Sequence, residues 1–303
     1  MKKTLVCVAL AAVTITGPMG ASAEAAPGTQ TTPQAVAPAA TAPVSTARSD
    51  RRNPGFGGGI RVASWNVLGH DHTAPGGRKY KKGWAAGTKR IRWAADRIGR
   101  ERYDVVGFQE MERPQRVAFR KHVGKRWALH TAGINTVVAW RTSKFRLVAA
   151  RQITLPYFHG EKKRLPYVLL QQRSTGQRFW VASFHNPADA RGPAQRFRNE
   201  AAKRQVKLAK RLGRTGVPVI FAGDFNESWS FVCKLHRSTG MRSFVGGGVR
   251  DGRCVTRKPR WNGVDWVLGS SKVRLSRAST INDRQVRRVS DHPLVGARVT
   301  IRR

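Results

Sequence analysis

Short apolar runs recur along the chain from Ile60 onward, and stretches with helical periodicity lie between them. Residues 60–67, 104–108, 136–140, 179–184, 217–222, 264–268 and 294–301 have the length and the β-branched and aromatic content of strands. Ile91, Ala94, Ala95 and Ile98 fall on one helical face, and Gly99 supplies a stop. A longer helix is predicted to open at Gly192-Pro193 and run to Gly213. Its period puts Phe197, Ala201, Leu208 and Leu212 inward and Arg196, Lys203, Arg204, Lys207, Lys210 and Arg211 outward. Strands mixed with helices in this way predict a layered α/β architecture.

The apolar runs end in polar groups. Val62-Ala63-Ser64-Trp65 runs into Asn66, Val105-Val106-Gly107-Phe108 into Gln109-Glu110, Trp180-Val181-Ala182-Ser183-Phe184 into His185-Asn186, and Val219-Ile220-Phe221-Ala222-Gly223 into Asp224-Phe225-Asn226. Those strands carry amide, carboxylate or imidazole groups at their carboxyl ends, the edge where α/β sheets bind ligands. Asp265 and Ser290-Asp291-His292 precede strands instead. If these two strands run antiparallel to the others, all the motifs meet at one cleft. Each motif alone has a plainer reading: Gly-Asp-Phe-Asn as a turn, Asn66 as a turn residue, His185 as a core histidine, Asp291 as a cap, Glu110 as a solvated carboxylate. Together they argue for a site. Carboxylates kept beside apolar strands need compensation, and a divalent cation commonly supplies it.

Charge narrows the partners. The 303 residues hold 57 Lys+Arg against 17 Asp+Glu, a formal net charge of +40. Nine Trp and twelve Phe supply a full-sized core, which excludes a disordered polycation. Such a charge attracts polyanions, whether nucleic acid, anionic lipid headgroups or envelope polymers, and it also favours plain solubility. Residues 1–23 have the charged start, short apolar run and Ala21-Ser22-Ala23 ending of a secretory signal peptide, so the expected location is extracellular. The apolar run is too short to favour a retained membrane anchor. Residues 24–59, rich in Ala, Pro, Thr and Gly, read as a disordered linker, and residues 60–303 as one domain. Loss of the leader removes Cys7 and leaves Cys233 and Cys254. In an oxidising compartment these are expected to pair, the alternative being two buried thiols.

The set Ser64-Trp65-Asn66, Phe108-Gln109-Glu110, Phe184-His185-Asn186-Pro187, Gly223-Asp224-Phe225-Asn226, Val264-Asp265-Trp266 and Ser290-Asp291-His292 resembles the endonuclease/exonuclease/phosphatase superfamily. Deoxyribonuclease I is a member, and the resemblance spans essentially residues 60–303. It implies a four-layer α/β sandwich, two mixed, mainly antiparallel sheets face to face with helices outside. It further implies hydrolysis of a phosphate ester with a divalent metal, Mg2+ expected and Mn2+ or Ca2+ as alternatives. On the matching positions, Glu110 is implied as the principal metal ligand, with Asn66 and Asp291 nearby. Asp224 and Asn226 are implied to position water and phosphate, His292 to be the catalytic histidine oriented by Asp265, and His185 to bond the scissile phosphate.

In deoxyribonuclease I a glutamate orients that second histidine. Residues 126–141 contain no acid here, and Asn135 is the candidate for part of its place. His72, close after Asn66, and the loop Arg78-Lys79-Tyr80-Lys81-Lys82-Gly83-Trp84 are candidates for substrate contact, as is the basic face of the long helix. A solvated surface is the competing reading of each. Resemblance and charge together give a secreted, metal-dependent nuclease, DNA favoured over RNA, acting as a monomer without stable membrane insertion and attracted to an anionic envelope. The alternatives are a sphingomyelinase-like phospholipid phosphodiesterase, a small-molecule phosphatase, or a catalytically weak DNA- or envelope-binding protein.

Overall fold

The computed structural model describes residues 58–77, 80–256 and 263–301. The signal-peptide segment, the linker through residue 57, and Arg78 and Lys79 lie outside the described residues. In chain order, β1 (Ile60–Asn66) leads to α1 (Gly87–Arg100), β2 (Val105–Gln109), α2 (Arg113–Val123) and a hairpin of β3 (Trp127–Thr131) and β4 (Val137–Arg141). A long hairpin of β5 (Phe145–Pro156) and β6 (Lys162–Gln172) follows, then β7 (Arg178–His185), α3 (Gln195–Gly213), β8 (Val219–Asp224) and α4 (Trp229–Thr239). Short strands β9 (Arg242–Ser243), β10 (Gly248–Arg250) and β11 (Arg253–Val255) precede β12 (Asp265–Gly269), β13 (Val273–Ile281), α5 (Arg284–Val289) and β14 (Leu294–Ile301).

Two six-stranded sheets form, ordered β13-β14-β1-β2-β4-β3 and β5-β6-β7-β8-β12-β9. The pairs β1–β2 and β7–β8 are parallel, and the remaining pairs of both sheets are antiparallel. This is the expected α/β sandwich with helices on its outer faces. Along β1 and β2 the side chains divide by period two. Val62 and Val105 enter the core between the sheets, while Ala63, Trp65, Val106 and Phe108 pack beneath α1 and α2 with Ile91, Ala94, Ile98 and Phe119. Burial on both faces is why these strands read as unbroken apolar runs. The sheets meet closely at Gly107: a Cβ there would lie 2.8 Å from Ala222 Cβ and 3.1 Å from Ser183 Oγ.

Register fixes what shares an edge. Ser64 pairs with Val295 in antiparallel β1–β14, and Asp265 pairs with Asp224 in antiparallel β12–β8. The starts of β12 and β14 therefore meet the ends of β1, β2, β7 and β8, as the motif order requires. The long helix departs from expectation at its start. It opens at Gln195, where Asp189 Oδ1 accepts the Ala194 N–H at 2.7 Å. Phe197 is half-buried; Arg198 and Gln205 occupy the inner face with Ala201, Leu208 and Leu212. Arg198 is tolerated there because Asp189 lies 3.0 Å and Glu227 3.3 Å from it.

Cys233 of α4 and Cys254 of β11 form a disulfide across a sequence separation of 21 residues. Closing a loop of that size is worth about 3 kcal/mol through the unfolded chain. Cys233→Ala/Cys254→Ala is accordingly expected to lower the unfolding free energy by about that amount. Denaturant titration checks this, and an unchanged midpoint would show that the bridge constrains nothing the fold needs.

Candidate active site

Parallel pairing of β1 with β2 sets Asn66 beside Gln109, and the chain turns immediately afterwards. Glu110 takes φ 58°, a left-handed conformation costly for a residue with a Cβ. Its carboxylate accepts Asn66 Nδ2 at 3.0 Å and the Gly69 backbone N–H at 2.9 Å. Asn66 Nδ2 also donates to Asp224 Oδ2 at 3.1 Å, so one amide ties together carboxylates from both sheets. Asn66 Oδ1 is held by the Leu68 N–H at 3.1 Å, which fixes the amide orientation.

On the other side of the cleft, His292 Nδ1 donates to Asp265 Oδ2 at 2.9 Å, and its Nε2 stands 3.8 Å from Asp224 Oδ2. His185 Nε2 stands 3.8 Å from the same Asp224 oxygen and 3.9 Å from Glu110 Oε1. Asn226, at φ 49°, donates its backbone N–H to Asp224 Oδ1 at 3.0 Å and its side-chain amide to the Asn186 carbonyl at 2.9 Å. Glu110, Asn66, His185, Asp224, Asn226, Asp265 and His292 thus share one cleft.

Burial dominates the electrostatics. It pushes the Asp224 carboxyl up to about 7, helped by the neighbouring Asp265 and opposed by His292, Asn66 and the Asn226 N–H. Burial would lower His292, but the Asp265 carboxylate, and then Asp224 and Asp291, overcome it and raise the imidazole to about 10. Burial would likewise raise Glu110; His185, Asn66, Gly69 and His72 outweigh it and hold the carboxyl at about 2. A divalent cation suits this donor set. Asp265 Oδ1 is buried without a hydrogen-bond partner, and Asp224, Asp265 and His292 present ligand atoms within 4.8 Å of one another.

The Endonuclease/Exonuclease/phosphatase family model matches residues 63–292. The chain belongs to this family. Among solved structures it resembles an endonuclease/exonuclease/phosphatase family protein from Bacteroides thetaiotaomicron at TM-score 0.63 and 18% identity, over 80% of this chain and 98% of that one. The mannosyl-6-phosphatase of the same bacterium superposes at TM-score 0.60 and 16% identity, over 79% and 99%. D. rerio TDP2 complexed with single strand DNA product does so at 0.58 and 16%, over 79% and 98%. No curated protein sequence matches the chain.

Around the family's motifs, the remaining candidates divide. His72 reaches the cleft, its Nε2 3.5 Å from Glu110 Oε2. Asp291 does not touch Glu110 or Asn66; its carboxylate is exposed and paired with Lys81 at 3.7 Å. Tyr80 is exposed, and Arg78 and Lys79 lie outside the described residues. Asn135 is half-buried, its carbonyl accepting the Met111 N–H at 2.8 Å and its side-chain oxygen buried without a hydrogen-bond partner. It does not contact His185. Lys163 of β6 is there instead, its ammonium 3.3 Å from His185 Nδ1 and 4.0 Å from the centre of the Tyr157 ring, which packs edge-on against His185. His185 Nε2 faces Glu110 and Asp224.

Sequence reading missed Lys163 and Arg90. Lys163 lay in a Lys162-Lys163-Arg164 run with nothing to single it out. Arg90 offered a signal that went unused: a cation immediately before Ile91, one helical turn from Ala94 on the apolar face of α1.

Proposed function

We propose that the protein is a secreted, divalent-metal-dependent phosphodiesterase that hydrolyses nucleic acid, DNA in the first place. The family's members are phosphoester hydrolases. The observation that carries the reading is the Asp265–His292–Asp224 chain facing the Asn66-bridged Glu110 across one cleft. Glu110, with Asp224 beside it, would hold the metal, Asn66 would fix both carboxylates through its amide, and Asp291 would act from the rim. When bound, the metal supplies Lewis-acid polarisation of a phosphoryl oxygen. Asp224, buried in the cleft with its carboxylate held in place by the Asn226 backbone N–H, accepts the proton of the attacking water. His292, kept protonated by Asp265, presents Nε2–H to the oxygen on which charge grows. His185 Nε2 and Lys163 address a second phosphoryl oxygen.

The domain's strong positive charge supports a polyanionic substrate. The TDP2 neighbour holds a single-stranded DNA product, and the mannosyl-6-phosphatase neighbour keeps sugar phosphates as the competing class. No described helix is long and apolar enough to cross a membrane. With Mg2+ or Mn2+ the protein is expected to nick circular DNA, and EDTA is expected to abolish the nicking. Cleavage of sphingomyelin or a sugar phosphate in place of DNA would move the assignment within the family. Lys163→Met is expected to lower kcat/KM on a small phosphodiester about tenfold, roughly 1.4 kcal/mol of transition-state stabilisation. Parental kinetics would mean that Lys163 only packs against Tyr157.

A further inference from the structure

The active site leaves most of the positive charge unused, and one part of it is organised. Arg204, Lys207 and Arg211 of α3 and Arg214 at its C-cap recur every three or four residues, one cation per turn or about 5.4 Å of axis. With Lys210 and residues Gln152, Ile153 and Thr154 of β5 they line an open groove of about 590 Å3. Among the described residues, no carboxylate lines that groove. Arg204 is anchored by the Thr154 carbonyl at 3.0 Å and paired with Glu200 at 3.2 Å, and Arg211 is anchored by the Tyr167 hydroxyl at 3.0 Å. Lys207, Lys210 and Arg214 are exposed and form no ion pair among the described residues.

The groove has a direction. α3 follows β7, which ends at the catalytic edge, and leads into β8, which starts at the opposite edge. At the Arg204 end, Gln205 donates to Asn186 Oδ1 at 2.8 Å, next to His185. On the other wall, Thr154 lies three residues before Tyr157, whose ring packs on His185. One end of the cation row therefore abuts the active site and the other leads away from it.

We propose that the β5–α3 groove binds one strand of nucleic acid by its phosphates as that strand extends from the active site. This rests on the nucleic-acid reading above. Concavity and a single row of cations fit a strand. A bilayer surface would call for exposed apolar side chains, and among the described residues the exposed large ones (Tyr80, Val117, Ile134, Leu147 and Val255) all lie outside the groove.

The test is a triple charge reversal, K207E/K210E/R214E, chosen because these side chains hold nothing in the fold. Its control, R113E/R120E/K121E, makes the same charge change on exposed positions of α2, which covers the other sheet. Binding of a labelled single-stranded oligonucleotide in EDTA is measured against salt. The groove variant is expected to bind at least about tenfold more weakly, with the log–log salt slope shallower by about two, because three cations no longer neutralise phosphates. The control is expected to retain most of the affinity. Equal weakening in both variants, or none in either, overturns the proposal. So does loss of phosphatidylglycerol-vesicle binding with oligonucleotide binding intact, which would assign the groove to lipid. If the parent protein binds the oligonucleotide through this groove but does not cleave it with metal, the groove stands and the nuclease reading falls. If DNA is cleaved and the groove variant binds like the parent, the reverse holds.

Discussion

His292→Ala is expected to lower kcat on a phosphodiester by about a thousandfold, the range for removing a positioned general acid or hydrogen-bond donor. The imidazole is fixed at one nitrogen by Asp265 and offers the other to the cleft beside Asp224, so alanine removes donor and orientation together. The same variant decides where the metal sits. If Glu110 is the principal ligand, Mn2+ affinity measured calorimetrically on the variant should stay within about threefold of the parent. If Asp224, Asp265 and His292 are the ligand group, their proximity making that arrangement available, affinity should fall by about 10–100-fold or more. A pH series adds an independent readout. His292 has a folded pKa of about 10 against 6.5 unfolded, so in the metal-free protein it adds stability that is complete below about 6.5 and is lost as pH rises through 10. The parent's thermal midpoint should fall over that window, and that contribution to the fall should be absent in the variant.

What the sequence made legible follows burial. β1, β2, β4, β7, β8, β12 and β14 are largely covered and stand out as continuous apolar runs; β6 is the exception, unread although Leu165 to Leu170 are all buried, with Pro166 inside the run. β5 and β13, exposed along much of their length and carrying Arg146, Arg151, Arg274 and Arg277, have no such run and went unread. α2 was masked by its charge, since Gln115, Phe119 and Val123 bury a narrow stripe among Arg113, Arg116, Arg120, Lys121 and His122. The site was legible because the motifs sit at the ends of the covered strands. Its supports were not. Lys163 reaches His185 from the exposed end of β6, and that contact depends on strand register across β6–β7, which local pattern does not fix. Asp291 fell beside the right histidine in sequence, yet successive residues diverge, and it faces Lys81 while His292 faces Asp265.

Arg90→Met is expected to be the most destabilising single change in the domain, by about 3–5 kcal/mol, because a buried charged donor would be removed from acceptors that nothing else can satisfy. The guanidinium is fully buried and bonds the carbonyls of Ala85 at 2.9 Å, Val67 at 2.7 Å, Leu68 at 2.7 Å, Gly69 at 3.2 Å and Val289, and Thr73 Oγ1 at 2.9 Å. Burial lowers its pKa to about 10, with Asp291, Glu110 and Glu112 opposing, so it stays charged at neutral pH. Four of those five carbonyls belong to two separate parts of the site: the 67–69 turn, whose Gly69 N–H holds Glu110, and Val289, which leads into Ser290-Asp291-His292. One side chain therefore sets the spacing between the Glu110 side and the His292 side of the cleft. Arg90→Lys should recover only part of the loss, since an ammonium has three donors on a single point and cannot span both segments. Denaturant unfolding gives the stability change. Activity under conditions where the lysine variant stays folded tests the positioning role, through a fall in kcat with the fold intact. An R90M protein that unfolds at the parental midpoint would show that these carbonyls find water instead, and that the two halves of the cleft are held by the sheets alone.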